Sequence, residues 1–325
     1  MACTCRIDVH HHPSPPSYLK ARFDRDKQYK QFENWSVQKS LDHMGRGGVT
    51  TAMLSLPHSI QIFPDEIDEG RRLAREWNEF MAALVRDHPG RFGMFAALPI
   101  LDIEGSLREV EYAFDTLKAD GVALMTNIGD RWLGDPHYDP VFEELNRRGA
   151  TLHIHPVAPN CCRDMLDEFN DSMIEYGADT TRAIGKVLWG GAAARFPRIR
   201  FIFSHAGGTL PYLAFRFLRH FGRASPQIKA QMPDGLIAAL NKFHYDTANT
   251  ANVYAMGSFT KIVSVSQLMF GADFPFGDAG ADVKGLRECG FTDAELRAID
   301  YENAWRMFPR LQALAGTGEM TMRPT

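Results

Sequence analysis

This 325-residue sequence predicts a single α/β domain, a (β/α)8 TIM barrel with an extended loop or lid segment after the first strand. Two observations lead there. Short apolar runs alternate with longer segments of helical periodicity along the whole chain, the pattern of successive βα units. Several of the runs also end in a histidine or an aspartate, and barrel enzymes collect their reactive side chains at the carboxyl ends of the strands.

Taken in order, the strand candidates are Arg6–Val9, Thr50–Leu56, Phe92–Leu98, Gly121–Met125, Thr151–His155, Ile199–Ser204, Phe243–Tyr245 and Gln267–Phe270. Helical spacing of apolar residues marks Glu66–Arg86, Leu107–Leu117, Pro140–Arg148, Asp171–Arg195, Pro211–Phe221, Ala251–Val263 and Val283–Cys289. Between the first two strands, residues 13–35 carry Tyr18, Phe23, Tyr29, Phe32 and Trp35 with Lys20, Arg22, Arg25 and Lys27. That aromatic and basic mixture suits a lid over a flat, anionic ring. An open doubly wound sheet is the competing architecture, but no GxGxxG follows the first strand and no GxxxxGK[ST] loop occurs.

Composition narrows the function classes. A formal net charge of -4, with no Lys/Arg-rich run, offers no electrostatic footprint for nucleic acid. No apolar stretch reaches the length of a membrane span, and the N-terminus lacks the pattern of a signal peptide. Five cysteines (Cys3, Cys5, Cys161, Cys162 and Cys289) form no zinc-type CxxC pair. A reducing, cytoplasmic location is the expectation.

Chemistry concentrates at the predicted strand ends. In an extended strand, side chains two residues apart share a face, so His10 and His12 reach one point while His11 turns away. His155 ends the fifth run before Pro156, His205 ends the sixth, and Asp273 follows the eighth in Gly271-Ala272-Asp273-Phe274-Pro275. Neutral imidazoles with one carboxylate suit Zn²⁺ or a similar divalent ion, with a position left for water or substrate.

Four segments, Ile7–His12, His155-Pro156, Ser204–Gly208 and Phe270–Pro275, resemble the signatures of the amidohydrolase superfamily. More narrowly, they resemble the branch that contains aminocarboxymuconate-semialdehyde decarboxylase and related aromatic-acid decarboxylases. The resemblance runs from Ile7 to about Phe308. It implies that His10, His12, His155 and Asp273 hold one divalent metal ion, zinc first and manganese second. It also implies that Asp273 transfers protons and that His205 is the catalytic histidine beside the metal. The fourth strand, Gly121–Met125, has no lysine to bridge two metals.

The resemblance further implies a metal-dependent, non-oxidative decarboxylase acting on a small carboxylated aromatic or muconate-like acid. The alternative reaction is hydrolysis of a lactone, amide or C–C bond by metal-bound hydroxide. Arg216 lies eleven residues beyond His205. Some members of the branch use an arginine at this spacing to bind a substrate carboxylate in a neighbouring subunit, so a homodimer or homotetramer is expected. His58 and Asp246 are further substrate-binding candidates, Asp246 at the end of strand seven being placed to orient either a ligand or the pocket. His153 is expected as a buried core histidine, and Trp189 with Cys161 and Cys162 as pocket wall.

Overall fold

A computed structural model describes residues 5–15, 18, 32, 34–58, 66–129, 131–168 and 170–316. Among them, eight strands form the predicted barrel: β1 (Ile7–His11), β2 (Thr51–Leu54), β3 (Phe92–Ala97), β4 (Gly121–Met125), β5 (Thr151–His155), β6 (Arg200–Phe203), β7 (His244–Asp246) and β8 (Leu268–Met269). Each is parallel to the next and hydrogen-bonded to it. The ring closes through the chain just past β8. There the Val9 N–H donates to Phe270 O (2.9 Å), the Asp273 N–H to His10 O (2.8 Å) and the His12 N–H to Phe274 O (2.9 Å).

Helices follow the strands in turn: α1 (Val37–Gly47), α2 (Ile67–Asp87), α3 (Ile103–Glu111), α4 (Asp139–Arg148), α5 (Glu175–Trp189), α6 (Leu210–Gly222), α7 (Val253–Phe259) and α8 (Ala279–Glu288). The first of these was not among the expected helices, although Val37, Leu41 and Met44 fall at helical spacing between Ser36 at the N-cap and Gly48 at the C-cap. Its fully buried face consists of Ser40, His43, Met44 and Gly47, and Val37 and Leu41 pack half-buried beside Met44. Gly47 is small for a reason, because a Cβ there would meet Ala279 of α8 at 2.5 Å. The segment expected as one helix over Asp171–Arg195 is split. A 3₁₀ turn precedes α5, and Gly191, in the left-handed region at φ 77°, separates α5 from the short helix Ala192–Arg195.

Side chains inside the barrel are layered. Ile7, Val9, Met53, Phe95, Ala123, Ile202 and Met269 form an apolar floor. The helices Asn303–Met307 and Pro309–Gly316 close it from the amino-terminal end with Ala304, Met307, Phe308 and Leu311. Each large apolar side chain buried this way contributes about 1.5–3 kcal/mol. His153 stacks on Phe95 directly above the floor, as the expected core histidine. A rigid base therefore lies under the strand ends.

Most of the expected lid, residues 13–35, lies outside the described residues. Of its aromatic residues, Tyr18 and Phe32 are buried, and Trp35 donates from Nε1 to Ser40 Oγ. No helix among the described residues is long and apolar enough to cross a membrane.

Candidate metal centre

A bulge in β1 aims the first two histidines. Asp8 pairs with Ala52 and His11 with Leu54, so β1 advances three residues while β2 advances two. Ile7 and Val9 pack in the barrel interior below the bulge, and His10 and His12 point into the same interior above it. Strict alternation from Val9 would have turned both histidines toward the helices. Asp8 stabilises the irregular backbone: its Oδ1 accepts the N–H groups of His10 (3.0 Å) and Ala272 (2.9 Å). Its Oδ2 faces His11 Nδ1 at 3.2 Å, and His11 Nε2 bonds Ser40 Oγ, so His11 is directed away from the centre.

His10, His12, His155 and Asp273 are buried together, with one ligand atom from each inside a 4.8 Å cluster. His10 Nε2 and His12 Nε2 are 3.0 Å apart, and each lies 3.1 Å from Asp273 Oδ1. His155 Nε2 stands 4.0 Å from the same oxygen. The outer nitrogens are already committed: His10 Nδ1 donates to Asp246 Oδ2 (3.0 Å) and His12 Nδ1 to Ser55 O (3.1 Å). Both Nε2 atoms therefore bring lone pairs toward a carboxylate oxygen. Three acceptors converging this closely repel unless a cation lies among them. Ligands about 2.0–2.2 Å from a zinc-sized ion stand about 3–3.5 Å apart, so the donor set fits a divalent metal.

The electrostatics agree. Burial alone would lower the His10 pKa, yet Asp246 and Asp273, one at each ring nitrogen, push it up to about 10. His12 and His155 are both lowered, burial being the largest cause. Burial would raise the two carboxyls, but His10 and the other imidazoles beside them hold Asp246 and Asp273 well below the usual range. A proton on His10 and a divalent ion are alternative ways of balancing the same two negative charges.

Asp273 faces two different environments. Its Oδ1 belongs to the three histidines, whereas Oδ2 accepts from Asn249 Nδ2 at 2.6 Å and lies 3.4 Å from His205 Nε2. Asp273, His205 and Asn249 all adopt left-handed backbone, at φ 54°, 55° and 55°. Such conformations are costly for residues with a Cβ and gather where a site requires them. Asn249 escaped the sequence reading because a neutral amide in a loop carries no motif; only its place just past β7 marks it.

Above this centre lies a cavity of about 930 Å³, the size of a small-molecule site. His155, His205, Asn249 and Asp273 form its base, and Met173, Ile174, Tyr176 and Phe276 give it apolar walls. His58 lines it, as the sequence suggested. Asp246 does not: it is fully buried beneath His10 and accepts from His10, His153 and the backbone N–H groups of His205 and Ala248. Arg216 is also absent from the lining, because it sits on the exposed face of α6, in a groove with Trp189, Leu213, Phe217 and His220. Trp189 belongs to that groove and not to the central wall. Cys161 and Cys162 are bonded to each other and do not line the cavity either.

Comparison with known proteins places the geometry in a family. The chain is 33% identical over 320 residues to a 6-methylsalicylic acid decarboxylase from Penicillium expansum, covering 95% of this chain and 98% of that protein. It is 25% identical over 274 residues to a 2-amino-3-carboxymuconate-6-semialdehyde decarboxylase from Dictyostelium discoideum, covering 83% of this chain and 75% of that one. Among solved structures, a dihydroxybenzoic acid decarboxylase from Polaromonas with bound manganese and the inhibitor 2-nitroresorcinol superposes with a TM-score of 0.78. The identity there is 19%, over 94% of this chain and 96% of that one. The family model described as amidohydrolase matches residues 7–310, and the chain belongs to that family.

Proposed function

We propose that the protein is a metal-dependent, non-oxidative decarboxylase of small hydroxylated aromatic acids. The carrying observation is the division of Asp273, with Oδ1 among His10, His12 and His155 and Oδ2 beside His205 at the base of the cavity. His10, His12, His155 and Asp273 would hold the ion, zinc first and manganese second; the manganese in the Polaromonas relative supports the second. When bound, the ion supplies positive charge for the carboxylate or the neighbouring phenolic oxygen of the substrate.

The protein's own groups do the rest. Met173, Ile174, Tyr176 and Phe276 would offer the ring an apolar surface. A proton taken up from solvent by the protein is first delivered to the ring carbon that bears the carboxylate, and the ring with its phenolic oxygen takes the charge. The bond from that carbon to the carboxylate then breaks, its electron pair returns to the ring, and carbon dioxide leaves. His205 and Asp273 form the proton-transfer pair; because the imidazoles keep Asp273 ionised, His205 is the carrier and Asp273 orients it. The relatives named above are decarboxylases, which favours this reaction over hydrolysis.

Arg216 is assigned to a second copy of the chain. It shares the outer face of α6 with Tyr212 and Phe215, which are 88% and 73% exposed. A homodimer or homotetramer that buries this face would let Arg216 bind carboxylate in a neighbouring cavity. Residues 13–35 are assigned as the lid, since Phe32 packs edge-on to cavity-lining Phe276 with ring centroids 5.4 Å apart. A cytoplasmic location goes with this reading.

The test is metal analysis of the purified protein, followed by a screen of hydroxybenzoic acids, 6-methylsalicylic acid among them, for carbon dioxide release. Stoichiometric metal and metal-dependent release of carbon dioxide are expected. Full activity in metal-free protein, or ¹⁸O from water in a product carboxylate, would overturn the reading.

A further inference from the structure

Asp246, at the end of β7, takes up four donors with two oxygens. Its Oδ2 accepts from His10 Nδ1 (3.0 Å) and His153 Nε2 (3.3 Å). Its Oδ1 accepts the backbone N–H groups of His205 (2.9 Å) and Ala248 (3.1 Å). One fully buried carboxylate thus touches a ligand ring through one oxygen and the main chain of the cavity-facing histidine through the other.

We propose that Asp246 is a positioning residue that sets two groups at once: the ring tautomer of His10 and the backbone of His205. A neutral imidazole carries a single N–H. With that proton held on Nδ1 by a carboxylate, Nε2 is left bare toward Asp273 and any metal, and the anionic partner makes the ring a stronger donor. The three ligand histidines differ here. His12 is oriented by a carbonyl, Ser55 O, and the buried Nδ1 of His155 has no hydrogen-bond partner among the described residues, so of the three only His10 is seen to lean on a charge.

The second action is on the main chain. His205 is held at φ 55°, a conformation that costs about 1–2 kcal/mol for a residue with a Cβ. A charge-assisted bond to its own N–H offsets that cost and directs Nε2 toward Asp273 Oδ2. Gly271 leaves the space: a Cβ there would lie 3.0 Å from the Cβ atoms of both His10 and Asp246. The first action rests on the metal reading given above, while the second concerns His205 whatever the ion.

Two variants separate these actions. In Asp246→Asn the amide oxygen can still accept the two backbone N–H groups, which have no alternative form. Its NH₂ must then face His10, driving the His10 proton onto Nε2 where a metal would bind. Mn²⁺ titrated into metal-stripped full-length protein should bind about 10- to 100-fold more weakly than to the unaltered chain. At saturating Mn²⁺, turnover should stay within about fivefold, because the Oδ1 bonds to the main chain survive. Asp246→Ala removes both oxygens and should lower turnover at saturating Mn²⁺ by a further tenfold or more.

A purely structural role would instead lower thermal stability and turnover in parallel in both variants. A wild-type measurement needs no variant to fold: ¹⁵N NMR of the Zn²⁺-loaded protein should show His10 protonated on Nδ1 and bound through Nε2. Ligation through Nδ1, unchanged Mn²⁺ affinity in Asp246→Asn, or the parallel losses would overturn the proposal. Absence of metal binding by the unaltered protein would overturn this proposal's first action and the proposed function together; where the unaltered protein binds Mn²⁺ and turns over, equal turnover of Asp246→Asn and Asp246→Ala would overturn the second action and leave the proposed function standing.

Discussion

The backbone N–H of Asp273 donates to the carbonyl of His10 at 2.8 Å, so the residues that approach one another at 3.1 Å through their side chains are also tied through their main chains. That bond is part of the seam that closes the barrel between β1 and the chain past β8. Closure and site assembly are therefore one event: a barrel whose ends failed to meet would leave Asp273 away from the histidines. The left-handed backbone at Asp273 is the local cost of making the seam and aiming the carboxylate inward.

Gly271→Ala tests how tightly the seam is packed. The added methyl would meet the Cβ atoms of His10 and Asp246 at 3.0 Å, and neither can retreat, since both are fully buried and bonded to each other. Metal affinity should fall about tenfold or more, with an overpacking cost of about 1–3 kcal/mol. Calorimetric metal titration and a thermal melt check both, and wild-type affinity in the variant would show that the seam can flex.

His205 and Asp273 should be separable by what their variants retain. Asp273→Asn removes the charge that the two Nε2 atoms converge upon, so bound metal and activity should both be lost. His205→Asn touches none of the close contacts among His10, His12 and Asp273 Oδ1. It should keep its metal, while turnover falls by about 10² to 10⁴ for a lost proton carrier. Metal content by mass spectrometry, set beside carbon dioxide release, distinguishes the two. Loss of metal from His205→Asn would make that residue a ligand.

Much of this arrangement was legible in the sequence because its signals are local. His10 and His12 are two apart on a strand, and His155, His205 and Asp273 each follow a short apolar run. What stayed illegible depends on partners distant in sequence. The bulge at Asp8–His11 is stabilised by the N–H of Ala272, at the far end of the chain. Asp246 was expected in the substrate pocket because a strand-end aspartate reads the same whether its carboxylate points up or down. Its depth is decided by His10 and His153, which come from two other strands. Arg216 likewise lies on the exposed face of α6, outside this cavity, because its distance in sequence from His205 does not say which way a helical side chain turns.

Asn249 should matter for chemistry more than for metal. Its amide holds Asp273 Oδ2 at 2.6 Å, on the side of the carboxylate away from the three histidines. Asn249→Ala frees that oxygen to rotate, and turnover should fall by about tenfold or more with metal content unchanged. Asn249→Asp should be worse, because two carboxylates in such contact cannot both ionise and one must take up a proton. Steady-state rates with metal analysis on both variants check the order. Equal rates in the two would mean that the amide only fills space.

Acid should destabilise the fold through histidines that are buried uncharged, and His244 at the start of β7 isolates the effect. Burial, with Arg200 and Arg306 nearby, lowers its pKa from 6.5 to about 4, and its buried Nδ1 has no hydrogen-bond partner among the described residues. Between those two values the unfolded chain binds the proton and the folded chain does not. The contribution is therefore fully present above pH 6.5 and is lost as pH falls toward 4. His153 and His43, also lowered to about 4 by burial, act in the same direction. In metal-free protein, where loss of the ion cannot contribute, His244→Gln should reduce the stability lost between pH 7 and pH 4 by up to about 3 kcal/mol. Urea unfolding at the two pH values measures it. An unchanged difference would mean that His244 gains its proton without unfolding the barrel, through water reaching the amino-terminal end of β7.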